Sequence, residues 1–181
     1  MIIKLLKAVS FTLLTYLLQA TVPFHIAIFG VAPNIALALI AAVSVGMGRK
    51  YTFLMALMIG YLLEIMLPML DYINLILYPV CAMLGALAFS DKSERKLEED
   101  RSAGKRTKTL NPHLRTPLCA MVSVLIFETV HLLYTYLSGV TVDEGHIFRA
   151  LANVVYSSAI AAATQFPSRW WLGVYKVKKA R

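Results

Sequence analysis

Acidic residues are scarce in this chain, ten Asp and Glu against 18 Lys and Arg, and charged residues of either sign fill only 15% of 181 positions. A soluble domain carries about a quarter of its residues charged, so a water-facing globule is excluded. Cysteine is rarer still. Cys81 and Cys119 are the whole complement, with neither CxxC spacing nor a secreted loop to bridge, and each reads as a buried apolar thiol. The chain contains no HExxH run and no glycine-flanked serine nucleophile, and Gly46-Met47-Gly48-Arg49-Lys50 lacks the spacing of a phosphate-cradling loop. These gaps remove the familiar catalytic classes, and the expectation is a non-enzymatic chain without a cofactor. The net charge of +8 does not point to nucleic acid, because no nucleic-acid fold can be built from this sequence.

What is present is apolar: 59% of residues are hydrophobic and the mean hydropathy is +0.67. Six apolar segments cover residues 5–22, 26–47, 51–70, 72–90, 118–140 and 147–166. About 20 apolar residues carry a helix across the roughly 30 Å hydrocarbon core. The expected fold is therefore an all-α integral membrane protein, a single polytopic domain of about six transmembrane helices. The amino-terminal stretch, with Lys4, Lys7 and an apolar run, resembles a signal peptide, but no small-residue cleavage pattern closes it cleanly, and it reads as a retained helix. Pro33 lies inside the second segment and suits the first turn of a helix better than its middle. That leaves open a separate interfacial or re-entrant piece over 24–32. No internal repeat matches the first three segments to the last three.

The basic residues set an orientation. With both termini cytoplasmic, every Lys and Arg of the 18 falls on the inner side except Arg149, which supports an N-in, C-in topology. Contact with anionic lipid at that face accounts for the positive charge. The hydrophilic loop 91–116 opens with Asp91 and Arg95 at helical spacing and breaks at Ser102-Ala103-Gly104, so the fourth helix is expected to extend beyond the bilayer before a linker or a docking segment. Pro112 and Pro117 mark the entry to the fifth helix. The tail 168–181 mixes Trp170, Trp171 and Tyr175 with Arg169, Lys176, Lys178, Lys179 and Arg181, an interfacial anchor.

Polar side chains inside the apolar segments are the candidate site. Glu64 stands near the middle of 51–70, where a carboxylate costs several kcal/mol unless protonated, hydrated or paired. Gly60, Glu64 and Asp71 share one helical face, and Gly60 admits a neighbouring backbone beside the carboxylate. Glu128 and His131 share a face of the fifth helix with Thr135, while the sixth offers Asn153, Ser157 and Gln165. At about 1.5 Å per residue, Glu64, Glu128, His131 and Asn153 reach comparable depth. A midplane cluster of these four would hold helices in register, bind a ligand or relay protons, or catalyse. As a metal site Glu128-x-x-His131 supplies two ligands where three or four are needed, and no metal is expected.

The stretch Val31-Ala32-Pro33-Asn34 before an apolar helix, Gly46, Gly48 and Arg49 at a tight turn, and Gly60-Tyr61-Leu62-Leu63-Glu64 together resemble the core of the rod-shape-determining MreD family. In that family a Pro-Asp or similar pair opens the second helix, and a Gly-Leu-x-x-Asp type pattern ends in an acidic residue inside the third. The resemblance covers about 32–89 at motif level and the rest in length and layout. Asn34 stands where Asp is common, and Glu64 where Asp is usual. The resemblance implies a non-enzymatic component of the bacterial elongasome in the cell membrane, binding MreC and, through it, MreB filaments, RodA and a class B penicillin-binding protein. Ala36, Ala38, Ala41 and Ala42, or Ala159 to Ala163, are expected to receive MreC's single span, and the outer loop 140–146 is either a solvated turn or a contact for its external segment.

MreD is similar in size and topology to the substrate-binding membrane subunits of energy-coupling-factor vitamin transporters, the alternative reading. There Glu64, Glu128, His131 and Asn153 would meet a small polar ligand from outside. Those subunits place an AxxxA pattern on the first helix, whereas this one offers Ala8 and Ala20, twelve apart.

Overall fold

The computed structural model describes residues 2–66, 72–89 and 111–173. Among them the chain forms α1 (Ile2–His25), α2 (Ile35–Met47), α3 (Arg49–Met66), α4 (Ile73–Phe89), α5 (Pro112–Leu137) and α6 (Glu144–Leu172). The only extended pairing among the described residues is one bridge between Ile28 and Val31. Stretches Leu5–His25, His113–Leu137 and Glu144–Leu172 are each long and apolar enough to cross a membrane, and α2 and α4 are shorter apolar helices. The expectations for Asp71, for most of the loop 91–116 and for the tail beyond 173 lie outside the described residues.

α2 is the axis of the bundle. Every side chain from residue 35 to 45 is buried, and the helix packs against all five others. Ala36, Ala38, Ala41 and Ala42 are 0–1% exposed, because only small side chains let so many helices approach one axis. They are consequently sealed inside the protein, which corrects their expected role as a face for an external span. Ala159 and Ala163 on α6 do face outward.

α2 is also shorter than the expected 26–47. It has 13 residues, about 20 Å of helix against a core of roughly 30 Å. Pro33 has no N–H to continue a helix backward, and Asn34 caps α2 by accepting from Leu37 N–H at 3.0 Å. Upstream the chain makes a hairpin: Phe29 and Gly30 take φ +52 and +76, and Ile28 and Val31 exchange backbone bonds of 3.2 and 3.0 Å. Two successive positive φ values are the signature of a tight two-residue turn. Residues 26–34 are thus the separate non-helical piece that Pro33 suggested.

The other ends follow their caps. Gly48 alone joins α2 to α3, with φ +84 and ψ 176, a backbone state essentially confined to glycine. α5 starts six residues before the expected 118, because Asn111 caps it and Pro112 occupies its first turn. α6 exceeds 147–166 at both ends: Asp143 caps its start and Gly173, in the left-handed conformation at φ 69, its finish. α3 is described from Arg49 to Met66, and the remainder of the expected 51–70 lies outside the described residues.

Candidate functional site

One face of α6 supports the irregular segment before α2. Arg149 Nη2 donates to the Gly30 carbonyl at 3.1 Å and Tyr156 O–H to that of Ile26 at 2.7 Å. The Asn34 N–H donates to Asn153 Oδ1 at 3.2 Å and to Ser157 Oγ at 2.8 Å. Positions 149, 153, 156 and 157 fall at i, i+4, i+7 and i+8, a single helical stripe. Non-helical backbone survives in an apolar surrounding only where side chains satisfy it.

The start of α2 is satisfied from three directions. Gln19 Oε1, on α1, accepts from Ala36 N–H at 2.8 Å, and Asn34 Oδ1 accepts from Leu37 N–H. Asn34 Nδ2 donates to Tyr78 O–H of α4 at 3.4 Å. A helix start leaves four N–H groups without helical partners, and here α1, α4 and α6 converge on that need.

From the cap the polar chain continues to α5. Ser157 O–H donates to Asn153 Oδ1 at 2.8 Å, and Asn153 Nδ2 donates to Glu128 Oε1 at 2.6 Å. Asn153 is therefore fully engaged, a receiver from the α2 side and a donor to the carboxylate. Tyr78 and Phe127 meet edge-on at 5.3 Å, and Phe127 lies 5.6 Å from His131 with the rings tilted by 45°, which packs the imidazole one turn from Glu128.

Glu64 lies apart from this network. Its two oxygens accept from the backbone N–H groups of Tyr72 at 3.1 Å and Asn74 at 3.0 Å, so the carboxylate caps the start of α4. Negative charge is stabilised at a helix N-terminus, and charge-assisted bonds of this kind contribute about 1.5–3 kcal/mol each. Glu64 is only 8% exposed. Gly60, one turn earlier, lets α4 come close: a Cβ there would stand 2.6 Å from the Asn74 carbonyl oxygen. The expected cluster of four therefore divides. Helical spacing correctly places Gly60 and Glu64 on one face, but that face meets α4, whereas Glu128 and Asn153 join at the α5–α6 seam.

Glu128, His131 and Asn153 line one open-mouthed cavity of about 240 Å³, shared with Thr135, His146 and Arg149. The hairpin residues 30–32 form its other wall. At the rim Asp143 accepts from both the backbone and the ring of His146, and the hydrogen bond from that ring holds the Asp143 carboxyl below its usual range. Among the described residues no group of three or more His, Cys, Asp or Glu is placed to hold a metal.

Gln19, Tyr78, His146 and Arg149 were not singled out as site residues from sequence. Gln19 had a signal, as a lone amide inside an apolar helix. Arg149 had another, as the one basic residue on the far side of the charge distribution. Comparison with known proteins found no matching family model, curated protein or solved structure.

Proposed function

We propose that the chain is an MreD-type membrane scaffold with six spans and both termini cytoplasmic, resident in a bacterial inner membrane. In this reading it binds MreC directly and, through it, helps organise MreB, RodA and a class B penicillin-binding protein in lateral-wall synthesis. The observation that carries the reading is how the four motif residues are used. Pro33 and Asn34 start α2, and Gly60 and Glu64 seat α4, so the side-chain oxygens of the motif are taken up by backbone N–H groups. A motif consumed in this way defines an architecture and leaves the function to the outer surface.

That surface has two features suited to a single-span partner. On α6, Leu151, Val155, Ala159 and Ala163 run at i, i+4 spacing and all face outward, an apolar stripe whose small pair Ala159 and Ala163 lets another helix pack closely. At the hairpin end, Phe24 and Phe29 are 76% and 95% exposed, an apolar tip for an interface or for an external segment of MreC. Affinity purification of the chain from its own membrane is expected to bring MreC with it. Recovery of ABC-type ATPases and their scaffold subunit in its place would overturn the reading.

One observation favours the transporter-subunit alternative, namely the cavity between α5, α6 and the hairpin. The spacing of Ala8 and Ala20 on α1 opposes it, and so does the position of Glu64, which caps α4 and does not line that cavity.

A further inference from the structure

The cavity at the hairpin end has chemistry that the scaffold role does not use. Its floor is the Glu128–Asn153 pair. Asn153 occupies Glu128 Oε1 at 2.6 Å, while no hydrogen bond engages Oε2 among the described residues and that atom is not sealed from solvent. A carboxylate oxygen is therefore presented to the cavity.

Arg149 provides the opposite charge at the mouth. One Nη2 donor goes to the Gly30 carbonyl at 3.1 Å, which anchors the guanidinium over the opening and leaves further donors of its five. The side chain is exposed, and among the described residues no carboxylate pairs with it. Arg149 stands one turn from Asn153 on α6, roughly 6 Å along the axis. The carboxylate, half-buried, and the guanidinium, exposed, thus line one polar cavity together with Thr135, His131 and His146.

We propose that this cavity binds a small zwitterion, a molecule with a primary ammonium and a carboxylate or phosphate a few atoms apart. The ammonium is received by Glu128 Oε2 at the floor and the anionic group by Arg149 at the mouth. Each end makes a charge-assisted bond of about 2.8 Å. A volume of about 240 Å³ falls below the roughly 300–1,000 Å³ of sites for drug-sized ligands, which fits a ligand of this size. A free β-amino acid has this chemistry, and so does a phosphoethanolamine lipid headgroup. The proposal rests on the cavity and is independent of the MreC assignment.

The test uses the full chain in nanodiscs of phosphatidylglycerol, with thermal unfolding and native mass spectrometry as readouts. β-Alanine and O-phosphoethanolamine are titrated as free probes, and discs containing phosphatidylethanolamine supply the headgroup. Saturable stabilisation by a free probe supports the site with a soluble ligand. Retention of phosphatidylethanolamine, with no effect of the free probes, supports it with a lipid ligand. Propionate and propylamine, each lacking one charge, are expected to bind at least about tenfold more weakly than β-alanine. R149A and E128Q are each expected to weaken whichever ligand binds by about tenfold or more, and E128Q keeps an oxygen for Asn153 so that the floor stays folded. No response to any of the three probes overturns the proposal. Binding that is indifferent to both variants, or equal for propionate, propylamine and β-alanine, overturns it as well.

Discussion

Glu64 of α3 accepts a 3.0 Å hydrogen bond from the backbone N–H of Asn74 in the first turn of α4. Its other oxygen takes the N–H of Tyr72 at 3.1 Å, so one side chain of α3 holds the beginning of the next helix. Negative charge is favourable at the N-terminus of a helix, which is where this carboxylate meets α4. Tyr72 sits at φ +60, an uncommon conformation for a bulky residue, and its N–H is held by this bond.

Glu64→Gln retains one oxygen for these two donors, whereas Glu64→Leu retains none. Each partly buried N–H left without a partner costs about 1–3 kcal/mol. The leucine variant is therefore expected to melt below the glutamine variant, and to retain less MreC in affinity purification. Equal loss in both would mean that the negative charge itself is required, and would return Glu64 to consideration as a relay group.

Gly60→Ala places a methyl group 2.6 Å from the Asn74 carbonyl oxygen and 3.2 Å from Leu75 Cα. These are backbone atoms, so α4 must move. Overpacking of this kind costs about 1–3 kcal/mol. Thermal unfolding should show the loss, and crosslinking between α3 and α4 should fall with it. A wild-type melting temperature would mean that the α3–α4 approach is looser than described.

Asn34→Asp keeps the oxygen that accepts from Leu37 N–H, and Asn34→Ala removes it. Loss of a helix cap costs about 0.5–2 kcal/mol. The aspartate variant should be close to wild type in stability and the alanine variant clearly below it, measured side by side in one detergent.

Asp143 gives a pH dependence with a defined sign. Its folded-state carboxyl is held below the ordinary value of 3.8, chiefly by the His146 hydrogen bond. Its contribution to the start of α6 is therefore fully present above that ordinary value and is lost as pH falls through the lower folded one. Hydrogen exchange in the first turn of α6 should accelerate below about pH 4, and Asp143→Ala should remove that acceleration by making the turn fast at every pH.

The parts of the fold legible in the sequence are those set by local chemistry. Apolar run length located six helices, and Pro33 with Asn34 marked where α2 begins. The i, i+4 relation of Gly60 and Glu64 identified a shared face of α3 but could not name the helix that the face meets. A depth along α3 cannot say which neighbouring helix Glu64 turns to, and it meets α4 rather than the α5–α6 seam. The cavity was only half visible for a different reason. Glu128, His131 and Asn153 stood out as polar residues in apolar runs, but Arg149 acquires its place through Gly30, 119 positions away. No local pattern records such a pairing.

If the proposed role holds, burial narrows the surface on which MreC would pack. The alanines of α2 are enclosed by five helices, so no external span can reach them, whereas Ala159 and Ala163 lie one turn apart on the outward face of α6. Close packing against a small-residue seam is driven by van der Waals contact and is lost when bulk holds the helices apart. Ala159→Leu with Ala163→Leu is accordingly expected to reduce MreC recovery by about tenfold, a change of roughly 1.4 kcal/mol. The melting temperature should stay near wild type, because both side chains point away from the bundle. Unchanged recovery would exclude this face, and the exposed hairpin tip at Phe24 and Phe29 would become the surface to vary next.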